Sequence, residues 1–169
     1  MKQQKSKPSI VIRPYQSSDL PQILQLFKET VHAINQRDYN TEQLQAWAPN
    51  NLDTEKWAKS LAEHIAYVAV LDTKVVGFAD MNKAGYFDRL FVHKDYQGKL
   101  ISRRLGLALY QDALKLGLKE VSADVSITAL PLAKRMGFQV VKQQTVEKNG
   151  QQFINYHMVI KIEPDLSFK

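Results

Sequence analysis

The stretch from Tyr86 to Val125 restricts the possible folds of this chain more than any other. "YFDRLFVH" (residues 86–93) reads as a strand, a helix follows from about Ile101 to Leu116, and "EVSADV" (residues 120–125) reads as another strand. A strand–helix–strand unit of this length predicts a parallel pair, because parallel neighbours need a long crossover. The preceding runs "AYVAVLD" and "KVVGFADM" are separated by Asp72–Thr73, and "NKAG" comes next, both plausible turns. Those runs with "YFDRLFVH" predict an antiparallel meander. Where two neighbouring strands part beside the crossover helix, a cleft is the natural consequence.

The flanks agree with one mixed domain. "SIVIRP" (residues 9–14) is a β-branched run closed by Pro14. Ser17, Ser18 and Asp19 offer capping oxygens and Pro21 fits a first helical turn. Leu20, Ile23, Leu24, Phe27, Val31 and Ile34 then recur at helical spacing. Further helical patches lie around Leu44 and Trp47, stopped by Pro49, and from Asp53 through Trp57 and Leu61. In the crossover helix Ile101, Leu105, Ala108, Leu109, Ala113 and Leu116 share one face, and Gly117 is a natural cap. "TALPLAKRM" predicts a short helix ending at Gly137, and the last residues predict a hairpin turning at "KNG". The element order is α+β. A single domain is expected over 9–163, with a disordered amino-terminal tail at 1–8 and a carboxy-terminal tail at 164–169.

Composition narrows the chemistry. There are no cysteines, which removes disulfides and thiolate chemistry and agrees with a cytoplasmic setting. The four histidines, His32, His64, His93 and His157, lack the close pairing of a zinc motif, so no metal is expected. A net charge of +6 is compatible with nucleic acid or a polyanionic cofactor. The charges are spread along the chain, and no nucleic-acid recognition motif accompanies them. No apolar run approaches the ~20 residues of a membrane helix, so no membrane partner is expected.

The loop "HKDYQGKLISRRLG" (residues 93–106) joins the strand to the crossover helix and carries Lys99, Arg103 and Arg104 behind Gly98. A helix amino terminus presents unpaired N–H donors and partial positive charge to an anion. With this loop, "FKETVHAINQRDY", "QLQAWAP", "YFDRLFVHKDYQG", "SITALPLAKRMGFQVV" and "NYHM" resemble, in order, the GCN5-related N-acetyltransferases (GNAT), and more narrowly the YafP-type bacterial members. The resemblance implies an α/β/α sandwich. Its sheet would be mixed and mostly antiparallel, of about seven strands with a splayed parallel pair, flanked by about four to five helices.

The resemblance also implies acetyl-CoA as cosubstrate and a small-molecule or peptide amine as acceptor; a homodimer is left open. The family's Gln/Arg-x-x-Gly-x-Gly/Ala signature falls on Gln97, Gly98, Lys99, Leu100, Ile101 and Ser102. Gln97 fits, Leu100 replaces a glycine, and Ser102 stands where glycine or alanine is expected. Leu100 matters in two ways: its side chain can block a phosphate, and positive φ is disfavoured for it. Lys99, Arg103 and Arg104 can compensate through charge-assisted bonds. Pantetheine would run along the backbone of Leu90, Phe91 and Val92. Ser126 holds the place of an asparagine that commonly bonds that arm. The tyrosine that often protonates the leaving thiolate is absent from the segment before Gly137.

Acetyl transfer to an amine of pKa ~10.4 is helped by a base or a desolvating site. Asp88 and Tyr86 share a strand face if pairing is regular, and Asp88 fits either a base or a salt bridge with a basic neighbour. His157, in "NYHM", has a suitable ordinary pKa. His32, Tyr39 and Trp47 fall where the family covers its acceptor, although a Trp beside Leu44 also suits simple packing. The leading reading is an acetyl-CoA-dependent N-acetyltransferase. The alternative is a degenerate domain of the same fold that binds acyl-CoA weakly or not at all and serves as a binding or regulatory module.

Overall fold

The computed structural model describes residues 9–164. The tail expected at 1–8, and that expected at 164–169 from residue 165 on, lie outside the described residues. Seven strands and five α-helices follow in order: β1 Ile10–Pro14, α1 Leu20–Ile34, α2 Thr41–Trp47, α3 Thr54–Glu63, β2 Ile65–Leu71, β3 Lys74–Met81, β4 Phe87–Val92, α4 Ile101–Lys115, β5 Glu120–Ser126, α5 Leu130–Arg135, β6 Gln139–Lys148 and β7 Gln151–Lys161.

The helices start where side chains replace missing partners. Asn40 and Gln43 form a reciprocal capping box at α2, and Asp53 accepts from the Lys56 N–H at α3. Asp19, ahead of α1, is 4% exposed. It takes both terminal nitrogens of Arg13 at 2.8 Å and the Gln16 N–H at 2.8 Å, locking β1 to the helix start.

The strands form two antiparallel sheets, ordered β1-β2-β3-β4 and β5-β7-β6. Alternation assigns their faces. Val121, Ala123 and Val125 of β5 pack with Leu105, Leu109 and Ala113 of α4, whereas Phe78 and Phe153 pack with Ile23, Phe27 and Val31 of α1. Helices α1–α3 therefore cover the front of the sheets, and α4 and α5 cover the back. This is the three-layer mixed sandwich.

The two sheets touch at one parallel bridge, Tyr86 to Ser122, where the Ser122 N–H donates to the Gly85 carbonyl at 2.9 Å. Gly85 has φ +93°, and a Cβ there would meet the Glu120 carbonyl oxygen at 3.0 Å. Only glycine lets the strands meet this closely. Beyond that bridge β4 and β5 diverge, and the parallel pair expected from the crossover is reduced to its first contact.

Candidate functional site

The divergence of β4 and β5 opens a cleft of about 2350 Å³. The phase of β4 follows from the bond of the His93 N–H to the Val76 carbonyl. Antiparallel pairing alternates, so the backbone of Arg89 and Phe91 faces β3 while that of Leu90 and Val92 faces the cleft. Thr30 and Gln97 side chains both donate to the Val92 carbonyl, at 3.2 and 2.6 Å, which agrees with this phase. Of the expected strand positions, Leu90 turns its N–H and carbonyl to the cleft, and Val92 its N–H, since its carbonyl is taken by Thr30 and Gln97. Phe91 instead spends its backbone on β3 and its ring on Phe27, Phe78 and Trp47.

The loop ends at the mouth of this cleft. Gly98 has φ +73°, and Leu100, the cap of α4, sits in the left-handed region at φ +59°, ψ +15°. The chain keeps the glycine's backbone shape without the glycine, at a cost of about 1–2 kcal/mol. The Leu100 side chain is 64% exposed on the rim. The first helical N–H groups, on Ile101, Ser102 and Arg103, have no acceptor within the helix. The Ile101 side chain is core, so only its backbone is available. Lys99, Ser102 and Arg103 line the cleft. Arg104 does not, because it donates to the Ile10 carbonyl at 2.9 Å. Gln97 turns its side chain back onto the end of β4. Leu100→Gly is expected to raise stability by about 0.5–1 kcal/mol, since strain relief exceeds the extra chain entropy of glycine. A urea melt checks this.

Near the bridge the walls turn polar. A bulge between Asp80 and Met81 leaves Asp88 as the extra residue of β4, so irregular pairing, and not simple alternation, brings it to the cleft beside Tyr86. Burial, then the charge of Asp80, pushes the Asp88 pKa above the usual carboxylate value, while Arg89, His64 and Lys148 pull it back. Arg89 does not neutralise Asp88, which stays 3.9 Å away, because its guanidinium is bonded to both oxygens of the fully buried Asp80. It also donates to Ser60 at 2.8 Å and lies 4.5 Å from the Trp57 ring centre. His64 reaches the same carboxylate at 2.6 Å. His64, Asp80 and Asp88 bring ligand-type atoms within 4.8 Å of one another, and the cation bonded to Asp80 is Arg89. Asp80 carried a signal in the sequence: a charge inside "VVGFADM" must find a partner if buried.

Tyr86 donates to Asp124 at 3.0 Å, and Asp124 also takes His157 Nδ1 at 2.8 Å and Gln144 at 3.0 Å. Burial first, then Asp124, raises the Tyr86 pKa. His157 stands opposite Asp124 on β7 and is not among the cleft-lining residues. Its link to the cleft-lining residues runs through Asp124. His93, beside the loop, is 7% exposed and accepts from the Asp95 N–H at 3.1 Å, a structural use.

The covering residues divide. His32 lies off the cleft, its Nε2 2.9 Å from the Ala48 carbonyl, so it struts α1 to the end of α2. Tyr39 donates to the Ile154 carbonyl at 2.9 Å and accepts from the Ile127 N–H at 3.0 Å, tying the α1–α2 connection to β7 and to the end of β5. Trp47 packs edge-on against Tyr39, Phe91 and Phe153 while lining the cleft. Ser126 spends its hydroxyl on the Ala129 N–H at 3.1 Å.

A family model described as the acetyltransferase (GNAT) domain matches residues 35–160. The uncharacterized N-acetyltransferase YafP of Escherichia coli K12 is 36% identical over 153 residues, covering 90% of this chain and 97% of that protein. A GCN5-related N-acetyltransferase from Rhodopseudomonas palustris, also described as a class II aminotransferase, is 29% identical with TM-score 0.86, covering 92% and 96% of the two chains. PaiA N-acetyltransferase from Thermoplasma acidophilum, solved with coenzyme A, is 19% identical with TM-score 0.73, covering 90% and 99%; at that identity the likeness is one of fold.

Proposed function

This chain belongs to the GNAT acetyltransferase family, and from that premise we propose that it transfers an acetyl group from acetyl-CoA to a primary amine by direct attack on the thioester. The observation that carries this reading is the convergence, in one cleft, of the Leu90 backbone and the Val92 N–H with the amino terminus of α4. The N–H groups at that terminus, with Lys99, Ser102 and Arg103, suit a pyrophosphate. Free strand backbone suits the amides of a pantetheine arm. A protein of the same fold was solved with coenzyme A, which agrees with that cosubstrate.

The cosubstrate supplies the activated carbonyl. Asp88, made a stronger base by burial, takes the proton from the attacking amine as the nitrogen–carbon bond forms and the carbon–sulfur bond breaks. The Leu90 N–H faces the side on which the carbonyl oxygen gains charge. Tyr86 keeps its own proton on Asp124, so the departing thiolate takes its proton from water. Gln97 and Thr30 hold the end of β4, and Tyr39 holds the cover over the acceptor side.

Calorimetric titration with acetyl-CoA tests the reading, with Leu100→Gly run beside the natural protein. Micromolar binding by the natural protein is the expected result, because Leu100 keeps the turn of the loop and is exposed at its rim. Binding only by Leu100→Gly would favour the degenerate domain. Binding by neither would remove the cofactor from this cleft.

A further inference from the structure

Among the described residues, one side-chain polar atom is buried without a hydrogen-bond partner: Oδ1 of Asn155. Such an atom costs about 1–3 kcal/mol in desolvation, so its presence calls for a cause. Asn155 lines the cleft. It lies on β7 directly opposite Ser126, on the front face that also carries Phe153 and His157. None of the polar side chains beside it donates to this oxygen, and each has another partner. Ser126 Oγ accepts from Ala129, the Tyr39 hydroxyl serves Ile154 and Ile127, and the Gln144 amide donates to Asp124. The cleft that Asn155 lines is the open side from which a donor can reach it.

We propose that Asn155 is a ligand-binding residue of this cleft, its Oδ1 accepting a hydrogen bond from an N–H of the bound ligand. That N–H belongs to the acceptor's ammonium group or to an amide of the pantetheine arm. The proposal rests on the acetyltransferase reading and extends it to a residue on a strand one place behind the open seam. Such a residue would recognise the ligand from the front wall, below the aromatic cover of Tyr39 and Trp47.

Side-chain amide NMR of the full-length protein tests it, with the Asn155 signals assigned through Asn155→Leu. The probes are coenzyme A alone and n-butylammonium chloride added to the coenzyme A complex. The expected result is that one probe selectively shifts the Asn155 signals. Asn155→Leu should weaken that probe's binding about tenfold, as the loss of one hydrogen bond to an N–H donor implies. It should leave the melting temperature of the ligand-free protein unchanged or higher, because an unpaired buried oxygen is removed. A shift with coenzyme A alone assigns the contact to pantetheine, and a shift only with the amine assigns it to the acceptor. The proposal is overturned if calorimetry finds coenzyme A bound while neither probe moves these signals. A clear drop in melting temperature for Asn155→Leu, marking a structural role, also overturns it. If coenzyme A does not bind the natural protein, the acetyltransferase reading itself falls and takes the proposal with it.

Discussion

Asp88→Asn is expected to lower kcat/KM for acetyl transfer by about 10²–10⁴-fold, the usual range for loss of a positioned base. The substitution keeps size and leaves the buried Asp80–Arg89 pair intact, so the melting temperature should stay close to that of the natural protein. The active form is the carboxylate. Activity of the natural enzyme should thus fall as pH drops through the Asp88 pKa, and burial has raised that pKa above its ordinary value. The acidic limb of the kcat/KM profile should accordingly lie above the usual carboxylate range and vanish in Asp88→Asn. The measurement is a pH–rate profile on a primary amine identified by screening. An unchanged limb in the variant would assign the base elsewhere and leave Asp88 as a binding group.

Arg89→Met should destabilise the fold by about 3–5 kcal/mol, the cost of breaking a buried ion pair from one side. Asp80 is fully buried, and Arg89 supplies two of its bonds, the link to Ser60 and the stack on Trp57. His64 alone would remain to pair with the carboxylate. For a domain of this size the loss corresponds to about 6–20 °C in melting temperature. Removing the orphaned charge as well, in Asp80→Asn/Arg89→Met, should recover a large part of it. Thermal and urea melts of the single and double variants read both effects. A shift of under about 2 °C for Arg89→Met would mean that the pair contributes little to the fold.

Both substitutions act on residues whose roles differ in how visible they are along the chain. Asp88 was accessible to sequence reasoning as a charge in a central strand. Its position beside Tyr86 nevertheless depends on a bulge that strand alternation does not reveal. Asp80 stood one register away in an apolar run, and nothing local said that Arg89 and His64 would meet it. His157 shows the opposite case. Its type and its strand invited a catalytic role, yet pairing set it against Asp124 on β7, behind the seam. His32 and Tyr39 fell in the right segments, but their hydrogen bonds to the Ala48 and Ile154 carbonyls make them struts. Asn155 lay within a motif already singled out and drew no notice, because an unpaired atom exists only relative to its neighbours in space.

The order of strands and helices, the crossover and the positively charged helix start were readable in the chain alone. These follow from periods, turn residues and caps, which are local physics acting within a few residues. The width of the cleft, the left-handed turn at Leu100, the phase that turns Leu90 and Val92 toward the cleft, and the polar networks around Asp80 and Asp124 required the folded molecule. Each depends on contacts between segments far apart in sequence: Gly85 against Glu120, His93 against Val76, Tyr86 against Asp124. Local propensity builds the elements, but only their packing decides which polar groups are satisfied and which are left facing a ligand.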